Sequence, residues 1–363
     1  MKMKTPQQII MKTMTWVRDS HNLFDYESRS CHKKKLITSN PCSIIRCDTE
    51  VDLISDFTNI SRLTPHSQVL ATVSQRNGIF YLSSEQCEPI WLIVRSLKTS
   101  EGPGVALKQG DIIKLGRMVY RIKELSTSSF DSSSDQTQGS EDECEVPNEH
   151  ETTTCRICFG ESEGPENPLI SPCSCIGSVK FIHLQCLQRW LHSRVSERLG
   201  ENVSSYHWKS MECEICKNNY PFSLGVEGKE RELFQVEKSE LPRIVLEGVD
   251  DGKGSSKGVY IVTFSENSTV KLGRGHECEV RISDISVSRC HATIQFSNGN
   301  FTIEDNNSKF GTLLQVTDPL PLITNSAVAL QAGRTVLAVS LKGDESVAYK
   351  NSLDRLPAHK RSL

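Results

Sequence analysis

Four close pairs of metal-ligand side chains dominate residues 155–216 and limit what that stretch can fold into. In order they are Cys155 and Cys158, Cys173 and Cys175, His183 and Cys186, and Cys213 and Cys216, with 2, 14, 1, 7, 2, 26 and 2 residues intervening. Zn2+ takes four tetrahedral thiolate or imidazole donors, and a Cys-x-x-Cys knuckle sets two thiolates on one side of an ion. Eight ligands in four pairs fill two ions with none left over. Four-ligand sites leave no position for an activated water, so the expected zinc is structural, not hydrolytic. Spacing alone leaves open whether the pairs share ions sequentially or crosswise. His192 and His207 lie nearby without paired spacing and read as surface residues.

Fourteen cysteines would suit a disulfide framework in an oxidising compartment. The N-terminal residues show neither an apolar h-region nor a small-residue cleavage site, so a reduced, cytoplasmic or nuclear chain is expected. A length of 363 residues implies two or three domains. A formal charge of −3, from 42 Lys+Arg and 45 Asp+Glu, argues against a nucleic-acid coat or a polybasic membrane binder. No apolar run approaches the ~18–20 residues of a membrane span; the longest, Pro89 to Val94, is strand-sized.

Around the cysteine cluster the chain reads as β-structure. The expected segments are an N-terminal extension (1–39), a β-rich domain (40–125), an acidic Ser/Thr-rich linker (126–154), the zinc finger (155–222), a second β-domain (240–345) and a tail (346–363). In the extension, Ile10, Met14 and Val17 fit one face of a short amphipathic helix, with a frayed terminus as the default. Ile79–Leu82, Trp91–Val94, Ile112–Leu115 and Val119–Ile122 are strand-like runs, and Arg76-Asn77-Gly78 signals a turn. The linker is too polar and acidic to offset its ordering entropy and is expected to be disordered. In the second domain, strand-like runs at 243–246, 259–262, 292–296, 301–303 and 336–339 include a hairpin at Asn298-Gly299-Asn300. Val105 to Gly110 echoes Val328 to Gly333, a hint that the two β-regions are copies of one sandwich type.

The segment 150–222 resembles the RING-CH (RING-variant) zinc finger of ubiquitin ligases. The motif reads Cys155-Arg-Ile-Cys158, Pro172-Cys173-Ser-Cys175, Gly177 to His183, Cys186-Leu-Gln-Arg-Trp190 and Cys213-Glu-Ile-Cys216. PHD fingers share the ligand order. The single residue between Cys173 and Cys175, the seven before His183, the place of Trp190, and Met211 where a PHD finger has Trp all favour RING-CH. The resemblance implies a cross-brace, with one ion on Cys155, Cys158, His183 and Cys186 and the other on Cys173, Cys175, Cys213 and Cys216. It also implies a finger that makes no covalent intermediate. Such a finger holds a ubiquitin-conjugating enzyme and orients its ubiquitin thioester for a substrate lysine. Ile157 and Trp190 would contact that enzyme. Lys217 stands where many RING fingers carry a cation bracing the thioester, though Lys lacks the fork of Arg. From the residues alone, Leu184, Leu187, Trp190 and Leu191 share one helical face, part of which should pack on the zinc core.

Residues 255–315 resemble a forkhead-associated (FHA) domain, through Lys271-Leu-Gly-Arg274, Ser288-Arg-Cys-His291 and Asp305-Asn-Asn-Ser-Lys-Phe-Gly-Thr312. Arg274 offers a guanidinium fork for phosphate oxygens, Ser288 a hydroxyl and Arg289 a second cation; the resemblance implies phosphothreonine as ligand. His291 reads as a scaffold residue and Gly311 as a turn the backbone needs. Phe310 replaces the family's usual Asn. Gly116-Arg117 falls after the Val105–Gly110 element, away from any phosphate loop, so the first β-region is expected not to bind phosphate.

The expected whole is a multidomain, mainly β protein: FHA-type sandwiches plus a small zinc-stabilised α+β finger. Its expected function is a ubiquitin ligase with two zinc ions. Its expected partners are a conjugating enzyme, ubiquitin and a phosphothreonine-bearing protein. The rival is a non-enzymatic zinc- and phosphopeptide-binding scaffold; a PHD-like histone reader would need a peptide groove that the sequence does not display.

Overall fold

The computed structural model describes residues 7–18, 22–55, 67–84, 89–96, 104–127, 144–147, 153–161, 164–226, 228–234, 241–249, 258–324 and 327–342. Two compact units emerge. Unit 1 comprises 1–119, 270–295 and 301–363, and unit 2 comprises 120–269 and 296–300. Among the described residues the one α-helix is Leu184–His192, and strands make up most of the rest.

In unit 1 the N-terminal segment is a strand, Gln8–Trp16, not a helix. Ile9, Met11, Thr13 and Thr15 are all buried, a period of two along a run containing two threonines. β-branched residues favour such a half-buried pleated surface. The expected helical triad Ile10, Met14 and Val17 ignored this alternation. Gln8–Trp16 pairs with Thr335–Lys342 on one side and Cys31–Thr38 on the other. Ile90–Ile93 pairs with both Thr312–Gln315 and Ala327–Ala332, and Ile112–Leu115 also borders Thr312–Gln315. These pairings cross the segment boundaries drawn from the sequence: residues 1–39 and 40–125 exchange strands with the last third of the chain.

Across from them, Cys42–Cys47, Glu50–Ile54, Ser67–Arg76, Ile79–Ser83 and Leu320–Pro321 form a five-stranded sheet. Ile44, Leu70, Val73, Phe80 and Leu82 share one core with Ile9, Met11, Leu330, Leu337 and Val339. Asn77 and Gly78 take φ of 52° and 79°, and Asn298 and Gly299 take 51° and 71°, as two-residue hairpin turns require. The two Val-Ala-Leu hexapeptides part company. Val105–Ala106 borders Thr302–Ile303, whereas Ala327–Ala332 forms a hairpin with Thr335–Lys342.

Unit 2 joins the cysteine cluster to strands expected in the second β-domain. Its antiparallel order is Val195–Leu199, Val203–Trp208, Val259–Phe264, Arg243–Gly248 and then the stretch from Tyr120 to Ser126. Val245, Val259 and Ile261 belong to the same core as Leu184, Leu187, Leu191 and Trp208. That core extends past residue 222, through Leu224, Val226, Leu233 and Phe234. Of the expected linker, 128–143 and 148–152 lie outside the described residues. Residues 144–147 depart from the expected disorder: Cys144 N donates to Gly225 O at 2.9 Å and Ser171 N to Glu145 O at 3.1 Å. Backbone pairing compensates there for a composition poor in apolar residues.

Met11 is fully buried in the unit 1 core. Met11→Ala should lower the stability of unit 1 by about 2–5 kcal/mol, measured by chemical denaturation. A loose N-terminal segment would leave the transition unmoved.

Candidate functional site

The crossed ligand pairing is the one the fold makes. The ligand atoms of Cys155, Cys158, His183 and Cys186 lie within 4.8 Å of one another, as do those of Cys173, Cys175, Cys213 and Cys216. Metal–sulfur bonds of about 2.3 Å give a tetrahedron with edges of about 3.8 Å. Cys175 Sγ and Cys213 Sγ are 3.7 Å apart. His183 Nδ1 is 3.2 Å from Cys158 Sγ and 3.9 Å from Cys186 Sγ. The residues fit two zinc ions, one on three thiolates and an imidazole, the other on four thiolates.

Both Cys-x-x-Cys knuckles share one backbone design. Phe159 and Lys217, each following the second cysteine, take φ of 60° and 64°. Their amides donate to the carbonyls of Cys155 and Cys213, and the amides of Cys155 and Cys213 donate to Gly160 O and Asn218 O. The amides of Ile157 and His183 point at Cys155 Sγ, at 3.4 and 3.3 Å. Burial alone would raise the Cys155 thiol, but amide donors outweigh it and hold the pKa below its ordinary value. Burial and neighbouring sulfurs push Cys175 and Cys186 upward. A bound cation is what lets such crowded sulfurs ionise together. His183 Nε2 donates to Glu161 O at 2.8 Å, which leaves Nδ1 as the ligand atom.

The helix Leu184–His192 buries Leu184, Leu187 and Leu191, and Trp208 Nε1 donates to Leu191 O at 2.9 Å. Trp190 is half-buried. Its ring meets Tyr220 edge-on at 6.1 Å, and the Arg194 guanidinium lies 4.2 Å over it, ion-paired with Glu214. Ile157 and Lys217 are both exposed. Phe159, Ile176 and Ile215 are exposed as well. Sequence reasoning missed them, although a residue inside or beside a zinc knuckle has little core to enter. His192 is exposed, 3.9 Å from Glu197. His207 is half-buried instead of exposed: it stacks on Tyr260 with centroids 4.0 Å apart, and burial pushes its pKa down to about 4. Its strand, Val203–Trp208, joins the unit 2 sheet, which spacing could not reveal.

In unit 1 the three expected phosphate-loop residues come together through their backbones. Arg274 N donates to Ser288 O at 3.1 Å and Gly275 N to Arg289 O at 3.0 Å. A side chain at Gly273 would put Cβ 2.1 Å from Arg289 O, so this close approach of two loops requires glycine. Ser288 Oγ accepts from Lys309 N at 3.1 Å, which leaves its own proton to donate. Arg274, Arg289 and Lys309 are exposed. His291 is the expected scaffold: it is fully buried, takes Ser288 N on Nδ1 at 3.1 Å and donates from Nε2 to Gly311 O at 3.1 Å.

Several supports come from far away in sequence. Gly311 has φ of 75°, and a Cβ there would lie 2.7 Å from the Tyr26 ring. Tyr26 N donates to Lys309 O at 3.0 Å, and Phe310 packs 6.5 Å from Trp16. Contrary to expectation, the Gly116-Arg117 turn lies against the loop preceding Ser288. Arg117 N donates to Ser286 Oγ at 2.8 Å and its guanidinium pairs with Asp284 at 3.0 Å. Asp305 accepts from Ser308 N and Oγ and from Thr312 N and Oγ1. Arg95 completes this carboxylate at 3.1 Å, with side-chain exposures of 10% and 0% for the pair. No local signal marks Arg95, 213 positions before the Ser308 carbonyl it also binds. Removing one member of a buried pair costs about 3–5 kcal/mol. Arg95→Met should therefore destabilise unit 1 by that amount, and the double variant with Asp305→Asn by less than the sum of the two, in denaturation measurements.

Comparison with known proteins agrees with this geometry. The RING-variant domain model matches residues 155–216 and the FHA domain model residues 270–336. A human protein named probable E3 ubiquitin-protein ligase MARCHF10 is 36% identical over 81 residues, 22% of this chain and 9% of that protein. Arabidopsis thaliana probable E3 ubiquitin ligase SUD1 is 37% identical over 75 residues, 21% of this chain and 5% of its own length. E3 ubiquitin-protein ligase MARCHF7 of Pongo abelii is 26% identical over 145 residues, 39% of this chain and 18% of its own. The chain thus spans less than a tenth of the first two relatives. No solved structure matches it. With eight ligands gathered in two clusters of four at 155–216, and the Arg274, Ser288 and Asp305 loops braced together at 270–336, the chain carries a RING-variant zinc-binding domain and an FHA domain.

Proposed function

We propose that this protein is a RING-CH-type ubiquitin ligase that docks a ubiquitin-conjugating enzyme on its finger and recruits phosphothreonine-bearing partners through its FHA loops. One observation carries the reading most directly. The finger's seven cysteines all stand in two closed metal-ligand clusters, inside a domain shared with named ubiquitin ligases. Such a finger has no thiolate left to carry ubiquitin. Its contribution is positional: the conjugating enzyme's thioester is held where a lysine amine attacks it, and orientation supplies the rate. The exposed Ile157 at the tip of the first knuckle and the half-buried Trp190 on the helix are the contacts proposed for that enzyme. Lys217 stands ready as the cation after the last ligand. A reducing cytoplasmic or nuclear setting keeps the ligand thiols available to zinc.

On the second module, Arg274 and Arg289 supply cations and the Ser288 hydroxyl a donor for the three phosphate oxygens. Backbone bonds between their loops hold these groups in register before any peptide arrives.

A second reading has its own support. Arg194, tied to Glu214, covers one face of Trp190, and Lys217 replaces the forked Arg. Both features suit a scaffold that binds partners without transferring ubiquitin.

Autoubiquitination with a panel of conjugating enzymes separates the two. Chains should form with at least one enzyme, and Ile157→Ala and Trp190→Ala should each slow them on the order of tenfold, the scale of an interface hot spot, with two zinc ions per chain retained. Absence of chains with every enzyme favours the scaffold. Arg274→Ala should abolish binding of a phosphothreonine peptide library by the full chain while leaving the denaturation midpoint unchanged. Undiminished binding would remove Arg274 from the pocket.

A further inference from the structure

Arg156 lies between two ligands of the first zinc site, Cys155 and Cys158, yet its side chain reaches the second. Nη1 is 3.8 Å from Cys173 Sγ and donates to Val179 O at 2.8 Å. Nη2 is 3.7 Å from Cys213 Sγ and donates to Tyr220 Oη at 2.9 Å. Cys173 and Cys213 belong to different ligand pairs of the same site, so one guanidinium spans both loops that close it. Its own backbone is pinned by Arg156 N donating to Phe181 O at 3.0 Å.

The charges explain the choice of site. Zinc on three thiolates and an imidazole carries one net negative charge; zinc on four thiolates carries two. The half-buried guanidinium serves the more highly charged cluster, where an unpaired charge would cost most. A planar fork meets two sulfurs and two oxygens at once, which an ammonium group cannot do.

We propose that Arg156 is a positioning residue that couples the two zinc sites. Closure of the first knuckle around its metal sets the guanidinium against Cys173 and Cys213, so filling the three-sulfur site tightens the four-sulfur site. By linkage the reverse holds with the same factor. This goes beyond the ligand set, since Arg156 binds no metal itself.

The test uses the zinc-loaded full-length chain, challenged with a chelator while released zinc is followed. In parallel, cobalt(II) is exchanged in. Four-sulfur and three-sulfur-one-nitrogen cobalt centres absorb at different visible energies, so each site is read separately. In Arg156→Gln the four-sulfur site should lose about 10–100-fold in metal affinity, the scale of outer-shell substitutions, and one of two zinc equivalents should leave correspondingly faster. The three-sulfur site should weaken less. Arg156→Lys, which keeps charge without the fork, should fall between. Tyr220→Phe, which removes an acceptor of Arg156 together with a donor to Cys213 Sγ and keeps the ring, should weaken the four-sulfur site mildly, and Arg156→Lys measured against the unaltered chain carries the test should Arg156→Gln fail to fold. Equal affinity of the four-sulfur site in Arg156→Gln, a three-sulfur site left at full affinity in the loaded chain, or a Lys variant no better than Gln would each overturn the proposal. So would a Tyr220→Phe chain whose four-sulfur spectrum and affinity match the unaltered protein.

Discussion

A tetrahedral ion takes whichever four donors the chain can bring to it, and this finger gathers donors from distant positions. Cys158 and His183 are 25 positions apart and Cys175 and Cys213 are 38 apart. Because the pairs alternate between sites, each loop is tied on both sides and neither ion can be lost without freeing two loops. The only helix among the described residues, at nine residues, is too short to be stable alone. The metal ties and the leucine face beneath it fix where that helix stands, and with it Trp190. Arg156 extends the same logic by placing a cation of one knuckle on the sulfurs of the other site.

The finger is not a freestanding module on a flexible stalk within its unit. Its hairpin at Val195–Leu199 and Val203–Trp208 continues as a sheet into Val259–Phe264. Its core is completed by Val245, Val259 and Ile261. Trp208 anchors the last turn of the helix through Leu191 O. The proposed docking face therefore refers to a sheet as well as to metal, which limits how far the helix can shift when a partner binds.

In unit 1, the buried carboxylate of Asp305 plays the organising part. Four donors from Ser308 and Thr312 shape the loop around it, and Arg95 balances its charge. The loop so held presents Lys309 N to Ser288 Oγ. Exposed cations on a rigid frame are the arrangement that lets loops carry recognition. Much of that frame comes from the first third of the chain, through Tyr26, Arg95 and Arg117.

The sequence by itself determined the zinc ligands, the alternating strands and hairpin turns such as Asn77-Gly78 and Asn298-Gly299, and the roles of His291 and Gly311. Each is written in residue type at short spacing: a knuckle, a period of two, or a motif loop. The tertiary structure alone decided the crossed pairing of ligands, the strand at Gln8–Trp16, the stacking of His207 on Tyr260, and the reach of Arg95 and Arg156. A short apolar run at the N-terminus satisfies helical and extended spacing alike until a partner strand more than three hundred positions away, Thr335–Lys342, selects the extended form. The reason is general to this chain: donor chemistry and alternation act over a few residues, whereas a buried charge or an edge strand acquires its partner only when distant segments pack.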